Sequence, residues 1–342
     1  MVKSSIYSYT LQELEDYFLG IHEKAFKAKQ LYRWLYDKKI NSYDEITDMK
    51  KSVLDLIKKD LPLLKIELVE VERDYDVNKY LFKLYDCEYI EAVLMRHDYG
   101  FSICVSSQVG CNMGCKFCES GRRKKVRNLE VYEMVTQLLL VEEDMNDKIT
   151  HVVVMGIGEP FDNYDSVLNF LKIINSSYGL QIGSRHITVS TCGIVPKIYQ
   201  FMEEPYQFNL AISLHAPSNE LREELMPINK VYKIEDVLSA VKCYIKKTNR
   251  RVTFEYILLK DKNDSEECAL LLVKLLKGIN CYVNLIPYNE TESIQLARSK
   301  MFKIMKFYDI LKKNKISVTI RREFGSKISA ACGQLRSKKE EL

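Results

Sequence analysis

The stretch Ser102-Ile-Cys-Val-Ser-Ser-Gln-Val-Gly-Cys-Asn-Met-Gly-Cys-Lys-Phe-Cys118 begins as an apolar β-type run and passes into a glycine-containing loop that carries three cysteines. Ser102 to Ser106 is the first of a series of such runs, followed by Val152 to Met155, Ile187 to Ser190, Leu210 to Leu214, Val252 to Leu258, Tyr282 to Ile286 and Val318 to Ile320. Between them lie stretches of helical period: Glu133 to Met145, Tyr164 to Ile174, Ile234 to Lys246, Ala269 to Leu276 and Lys300 to Lys313. Strands that alternate with helices imply βαβ units and a parallel sheet closed or partly closed as a barrel, with the site at the C-terminal ends of the strands.

Working outward, Thr10-Leu-Gln-Glu13 has the form of a capping box ahead of Leu11, Leu14 and Phe18 at helical spacing. A second helical pattern aligns Leu31, Trp34 and Leu35, with Lys24, Lys27, Lys29 and Arg33 nearby. Short β-type runs, among them Tyr80 to Leu84 and Ala92 to Met95, then join this unit to the barrel. The expected organisation is a helical unit over 1–62, a small β extension over 63–96, a core over 97–327 and a C-terminal loop and basic tail over 328–342.

The chain has 342 residues, 46% hydrophobic, and a net charge of +4, an ordinary globular composition. Its longest apolar runs, such as Leu138 to Val141, fall far below the roughly 20 residues that cross a bilayer. The N-terminus lacks the apolar core of a secretory signal, so a cytoplasmic protein is expected and its ten cysteines need an explanation other than structural disulfides. Residues 302–342 carry eleven Lys/Arg against four Asp/Glu, a local +7 that fits a nearby polyanion or a solvated helix and tail.

The triplet Cys111, Cys115 and Cys118 supplies three thiolates on one loop, enough for three irons of a 4Fe-4S cube with the fourth iron open to another ligand. Zinc and incidental thiols are the alternatives, but zinc would want a fourth Cys or His, and His97 and His151 belong to no paired motif. The spacing, with Phe117 before the third cysteine, resembles the radical SAM superfamily, in which S-adenosylmethionine (SAM) occupies the open iron. Cys87, Cys192, Cys243, Cys268 and Cys281 read as buried small hydrophobes, whereas Cys104 and Cys332 stand in contexts that allow a role in chemistry.

Further stretches resemble one branch of that superfamily, the RlmN/Cfr RNA adenine methyltransferases. They are Cys104-Val-Ser-Ser-Gln-Val-Gly-Cys111, Arg127-Asn-Leu129, Met155-Gly-Ile-Gly-Glu-Pro160, His186-Ile-Thr-Val-Ser-Thr191, Ser213-Leu-His-Ala-Pro217, Leu225-Met-Pro-Ile-Asn229, Val283-Asn-Leu-Ile-Pro-Tyr-Asn289 and Ala330-Ala-Cys-Gly-Gln-Leu335. The resemblance also takes in Lys29-Gln-Leu-Tyr-Arg-Trp34, so it covers almost the whole chain. It implies a partial (β/α)6 TIM-like barrel behind an N-terminal helical RNA-contacting domain. It further implies Cys332 as a methyl-carrying cysteine, Cys104 as its resolving partner through a transient disulfide, and Glu91 as a proton acceptor. Gly158, Glu159, Ser190, Ser213, Leu214, His215 and Asn289 would bind SAM.

The product the resemblance implies is 2-methyladenosine in 23S rRNA, with tRNA as a second candidate substrate, made by a monomer with a reductant such as flavodoxin or ferredoxin. A carbon-8 paralogue, another RNA adenosine and a non-catalytic iron-sulfur RNA-binding protein are the rivals. The chain departs from the family at Glu119-Ser-Gly-Arg-Arg-Lys-Lys-Val-Arg127, which puts five basic residues within six positions beside the cysteines, either solvated or gripping RNA phosphates. Nothing local singles out Glu91, for which a surface position is the default, and His215 by itself suggests a structural hydrogen bond.

Overall fold

The computed structural model describes residues 3–291, 293–321 and 333–335. Three helices come first: α1 (Leu11–Gly20), α2 (Phe26–Tyr36) and α3 (Lys51–Asp60). The capping box is real, because Thr10 Oγ1 accepts from Glu13 N–H while Glu13 Oε2 accepts from Thr10 N–H, satisfying donors the helix itself leaves open. Next, β1 (Glu67–Arg73), β2 (Val77–Lys83), β3 (Tyr89–His97) and β4 (Gly100–Cys104) form an antiparallel meander.

At β4 the sheet turns parallel. A short antiparallel pair, β5 (Gln108–Val109) with β6 (Arg127–Asn128), is followed by α4 (Val131–Met145), β7 (His151–Val154), α5 (Tyr164–Asn175), β8 (Ile187–Thr191), α6 (Val195–Met202) and β9 (Asn209–Ser213). Then come α7 (Asn219–Leu225), α8 (Ile234–Thr248), β10 (Val252–Leu258), α9 (Glu266–Leu276), β11 (Cys281–Pro287), α10 (Met301–Lys313) and β12 (Ser317–Ile320). The order β1-β2-β3-β4-β7-β8-β9-β10-β11-β12 makes one ten-stranded sheet, parallel from β4 onward: six strand–helix units and a seventh strand.

The central strands β8, β9 and β10 are nearly continuous in burial, as parallel strands covered by crossover helices must be, whereas β12 at the sheet edge alternates between exposed and half-buried. A single apolar core runs from Ile6 through Phe18, Leu35 and Leu138 to Phe254 and Leu311, so the N-terminal helices and the barrel share it. Ser8 Oγ accepts from the Tyr132 N–H at the start of α4, and Ile6 N–H donates to Pro62 carbonyl. Among the described residues no helix is long and apolar enough to cross a membrane.

Candidate functional site

The loop between β5 and β6 carries the three cysteines, and its base is clasped by that two-residue ladder: Cys111 N–H donates to Arg123 carbonyl and Val126 N–H to Val109 carbonyl. Gly110 takes φ of +72° in this clasp, where a Cβ would stand 2.4 Å from the Lys124 carbonyl oxygen, so only glycine lets the two sides meet. The loop faces a cavity of about 130 Å³ at the C-terminal ends of the strands. Cys111, Cys115 and Cys118 line it together with Gly158, Glu159, Ser190, Ser213 and His215. The remainder of the wall includes Met155, Cys192, Met226, Glu255, Arg321 and, from the C-terminal segment, Gly333 and Leu335.

Leu214 and Asn289 do not line this cavity among the described residues. Leu214 is a core side chain, and what it offers is backbone: its N–H donates to Glu255 carbonyl and its carbonyl accepts from Arg222 Nε. Asn289 is half-buried just after β11. Glu91 is buried on β3, not on the surface, and its carboxylate faces Lys79 Nζ at 3.7 Å. Cys104 is buried at the end of β4 in a satellite apolar cluster with Val93, Ile157 and Leu335. Cys332 lies outside the described residues.

Glu159 sits at the turn after β7, sealed from solvent. Its Oε1 accepts from Phe161 N–H and its Oε2 from Cys192 N–H, and burial pushes its carboxyl pKa up. Gly158 before it has φ of +112° and lies so close to Gln108 that a Cβ would be 2.7 Å from that side chain. Gln108 in turn accepts from Glu159 N–H and donates to Asn128 Oδ1 and Asp162 Oδ2, tying the cysteine loop to the carboxylate. His215 combines both readings of the sequence: it lines the cavity and its Nδ1 accepts from Ile257 N–H, while Phe117 meets its ring edge-on at 4.8 Å. Burial lowers its pKa to about 3, which keeps the imidazole neutral.

Sequence reading missed three residues of this wall and shell. Cys192 belongs to the cavity rather than to anonymous core, and Glu255 is a buried carboxyl bonded by Asn284 Nδ2 whose pKa burial raises. Arg222 is fully buried, and its guanidinium donates to the carbonyls of Cys192, Ser213, Leu214 and Tyr232 and to Asn229 Oδ1. Only the Leu225-Met-Pro-Ile-Asn229 run beside it gave any signal. The small-hydrophobe reading also fails for Cys87 and Cys243, which are exposed, while Cys281 is buried as expected.

The donor set suits an iron-sulfur cube better than one ion. Burial pushes the Cys111 thiol up to about 12 and Cys115 well above its ordinary range, so without a cation these groups hold their protons; iron would displace them. Among the described residues no three Cys, His, Asp or Glu side chains converge on a single ion. Three thiolates that each hold a different iron need only border a common space, which the cavity provides.

Two family models match the chain: the radical SAM superfamily over residues 105–272 and the ribosomal RNA large subunit methyltransferase N-terminal domain over residues 5–60. A protein of Caldanaerobacter subterraneus subsp. tengcongensis described as a probable dual-specificity RNA methyltransferase RlmN is 51% identical over 331 residues, 96% of each chain. Its counterpart in Enterococcus faecalis is 51% identical over 99% of this chain and 97% of its own. The crystal structure of a radical SAM methyltransferase from Sphaerobacter thermophilus superimposes with a TM-score of 0.92 at 39% identity, covering 98% of this chain and 99% of that one. A 4Fe-4S cluster and SAM are the cofactors of this superfamily and of this chain. The chain therefore belongs to the RlmN family of radical SAM RNA methyltransferases.

Proposed function

We propose that the protein methylates carbon 2 of an adenosine in 23S rRNA and in tRNA by a route that passes the methyl group through Cys332 and uses two SAM per turnover. Carbon 2 of adenine is an electron-poor CH without a lone pair, so direct displacement on a sulfonium methyl is closed to it. Cluster and SAM together supply a carbon radical able to remove hydrogen from a methyl group. Cys332 carries that methyl as a thioether, and its sulfur-bound methylene adds to the adenine carbon to give a protein–RNA adduct. The adduct loses a proton to Glu91 and an electron that the cluster, oxidised when SAM is cleaved, would take back, and the Cys104 thiolate then attacks the Cys332 sulfur. The carbon–sulfur bond breaks, the released methylene carbon takes up a proton to become the methyl group as the base departs, and the resulting disulfide is reduced by an external thiol.

The observation that carries this reading is that Cys104 shares an apolar cluster with Leu335, three residues beyond Cys332, and that Leu335 lines the cavity with the three cluster cysteines. Cys111, Cys115 and Cys118 bind the cluster, Glu159 holds the amino group of SAM, and Gly158, Ser190, Ser213, Leu214, His215 and Asn289 surround the rest. The protein acts as a cytoplasmic monomer, with flavodoxin or ferredoxin as electron donor.

The test compares two variants on structured RNA with an accessible adenosine, since the base must leave its stack to be reached. Cys104→Ala should accumulate protein cross-linked to RNA on a denaturing gel, and Cys332→Ala should form none. Mass spectrometry of wild-type product should show 2-methyladenosine; 8-methyladenosine would reassign the carbon, and normal turnover by either variant would overturn the two-cysteine route.

A further inference from the structure

At the end of the barrel opposite the catalytic cavity, the N-terminal ends of β8, β9 and β10 surround a second concavity, about 560 Å³, lined by Arg185, Asn209, Arg250 and Arg251. No carboxylate lines it, and none of the three arginines makes an ion pair among the described residues. They are held by neutral groups instead. Arg250 Nη2 donates to Asn209 Oδ1 at 2.6 Å, and Asn209 Nδ2 donates to the carbonyl of Arg185 at 2.7 Å. Arg251 lies over the Tyr282 ring at 4.7 Å. Arg250 Nε is buried with no acceptor among the described residues. Three arginines that line one concavity with no carboxylate among its lining residues suit an anion that accepts from several guanidinium groups, as a phosphate does.

The same rim continues as a ladder of rings. His186, next to Arg185, stacks on His151 at 4.3 Å, and His151 meets Tyr99 at 4.9 Å. Parallel register explains it, since Val152 pairs with Ile187 and Ser102 with His151, bringing the first residues of β4, β7 and β8 side by side. Tyr99 and His186 are exposed. Basic groups that hold the backbone beside exposed rings that accept a base are the two components of single-strand recognition.

We propose that this lower rim is a second RNA-binding surface, in which Arg185, Arg250 and Arg251 hold a backbone phosphate and the Tyr99–His186 ladder stacks an unpaired base. The inference rests on the enzyme's action on structured RNA. It puts a binding surface one strand length, on the order of 20 Å, from the reacting adenosine, where it anchors the substrate without touching the chemistry.

The experiment uses the full-length, cluster-loaded protein with a tRNA and an rRNA fragment as probes. Arg185→Gln with Arg251→Gln should weaken RNA binding at least about five-fold and lower the slope of log affinity against log salt by about 0.7 to 0.9 for each phosphate no longer neutralised. Iron content should be unchanged, and KM should rise with kcat preserved. Tyr99→Ala should weaken binding by about five-fold or more without altering the salt slope. Unchanged affinity and slope in the arginine variant, with iron content intact, overturns the proposal. Inorganic phosphate that binds the wild type but not that variant, with RNA affinity unaltered, also overturns it in favour of a small phosphorylated ligand. Failure of the wild type itself to methylate RNA would count against the proposed function, not against this surface alone.

Discussion

The guanidinium of Arg222 is held entirely by protein oxygens; burial pushes the nearby Cys115 and Cys192 thiols well up, and the Arg222 charge offsets only a small part of that. Arg222→Met would take a donor from the carbonyls of Cys192, Ser213 and Tyr232 and from the Asn229 amide oxygen, while the Leu214 carbonyl keeps its bond from Ala216 N–H. At about 1–3 kcal/mol per buried group left unbonded, a loss of at least about 3 kcal/mol follows, read as a lower urea midpoint at unchanged slope. Arg222→Lys should recover only part of it, because an ammonium cannot span acceptors placed for a planar fork; full recovery would assign the role to charge alone. Apart from the neighbouring Leu225 to Asn229 run, no sequence signal announces Arg222, because its role comes from burial among β8, β9 and α7, which only the fold brings together. Cys111, Cys115 and Cys118 could be grouped from their local spacing, and Glu159 only through the family resemblance; the fold brings all four to one cavity. The burial of Glu91 was not legible, since it comes from β3 setting that residue opposite Lys79.

The loop from Glu119 to Arg127 reads as five free positive charges, and the fold answers most of them internally. Arg123 pairs with Glu88, Lys125 with Asp162, and Arg127 with both Asp86 and the buried Glu133. Arg122, bonded to the Ser293 carbonyl, and Lys124 remain exposed. The charge offered to RNA is thus smaller than composition suggests. Replacing Arg122 and Lys124 by Ser should flatten the salt dependence of RNA binding, whereas Arg127→Met should leave that slope unchanged and cost roughly 3 kcal/mol by leaving Glu133 buried without its partner. Equal effects of both changes on RNA affinity would show that the ion pairs open when RNA binds. At this scale the parallel strands and most of the long helices were readable from period within two residues at their ends, but α9, β2 and β3 each begin three residues before the stretch the sequence marked, and α3 was not read. The short α6 and α7 escaped, since eight and seven residues hold too few turns for a helical period to stand out.

Across the whole molecule, one core joins the N-terminal helices to the barrel, so a proton taken up anywhere on unfolding is charged to the same transition. His215 dominates the mildly acidic range. Its folded pKa of about 3 lies below the ordinary value of about 6.5, so below the latter the unfolded chain binds a proton that the folded chain refuses. Stability therefore falls with pH from about 6.5 downward, by roughly 1 kcal/mol between pH 7.5 and 5.5. Asp86, Asp144 and Asp162, held low chiefly by bonds from Arg127, Arg73 and Lys125, contribute stability that is lost only as pH falls through and below the usual carboxylate range. Buried Glu159 and Glu255, raised by burial, act in the opposite sense, since protonation favours their folded state. Comparing wild type with His215→Asn cancels these carboxyl contributions, and the amide oxygen can still accept from Ile257 N–H. Urea midpoints at pH 7.5 and 5.5 should show a loss in the wild type larger by roughly 1 kcal/mol than in the variant. The same pH dependence in both proteins would mean that His215 is protonated in the folded state, and its bond to Ile257 would need another description.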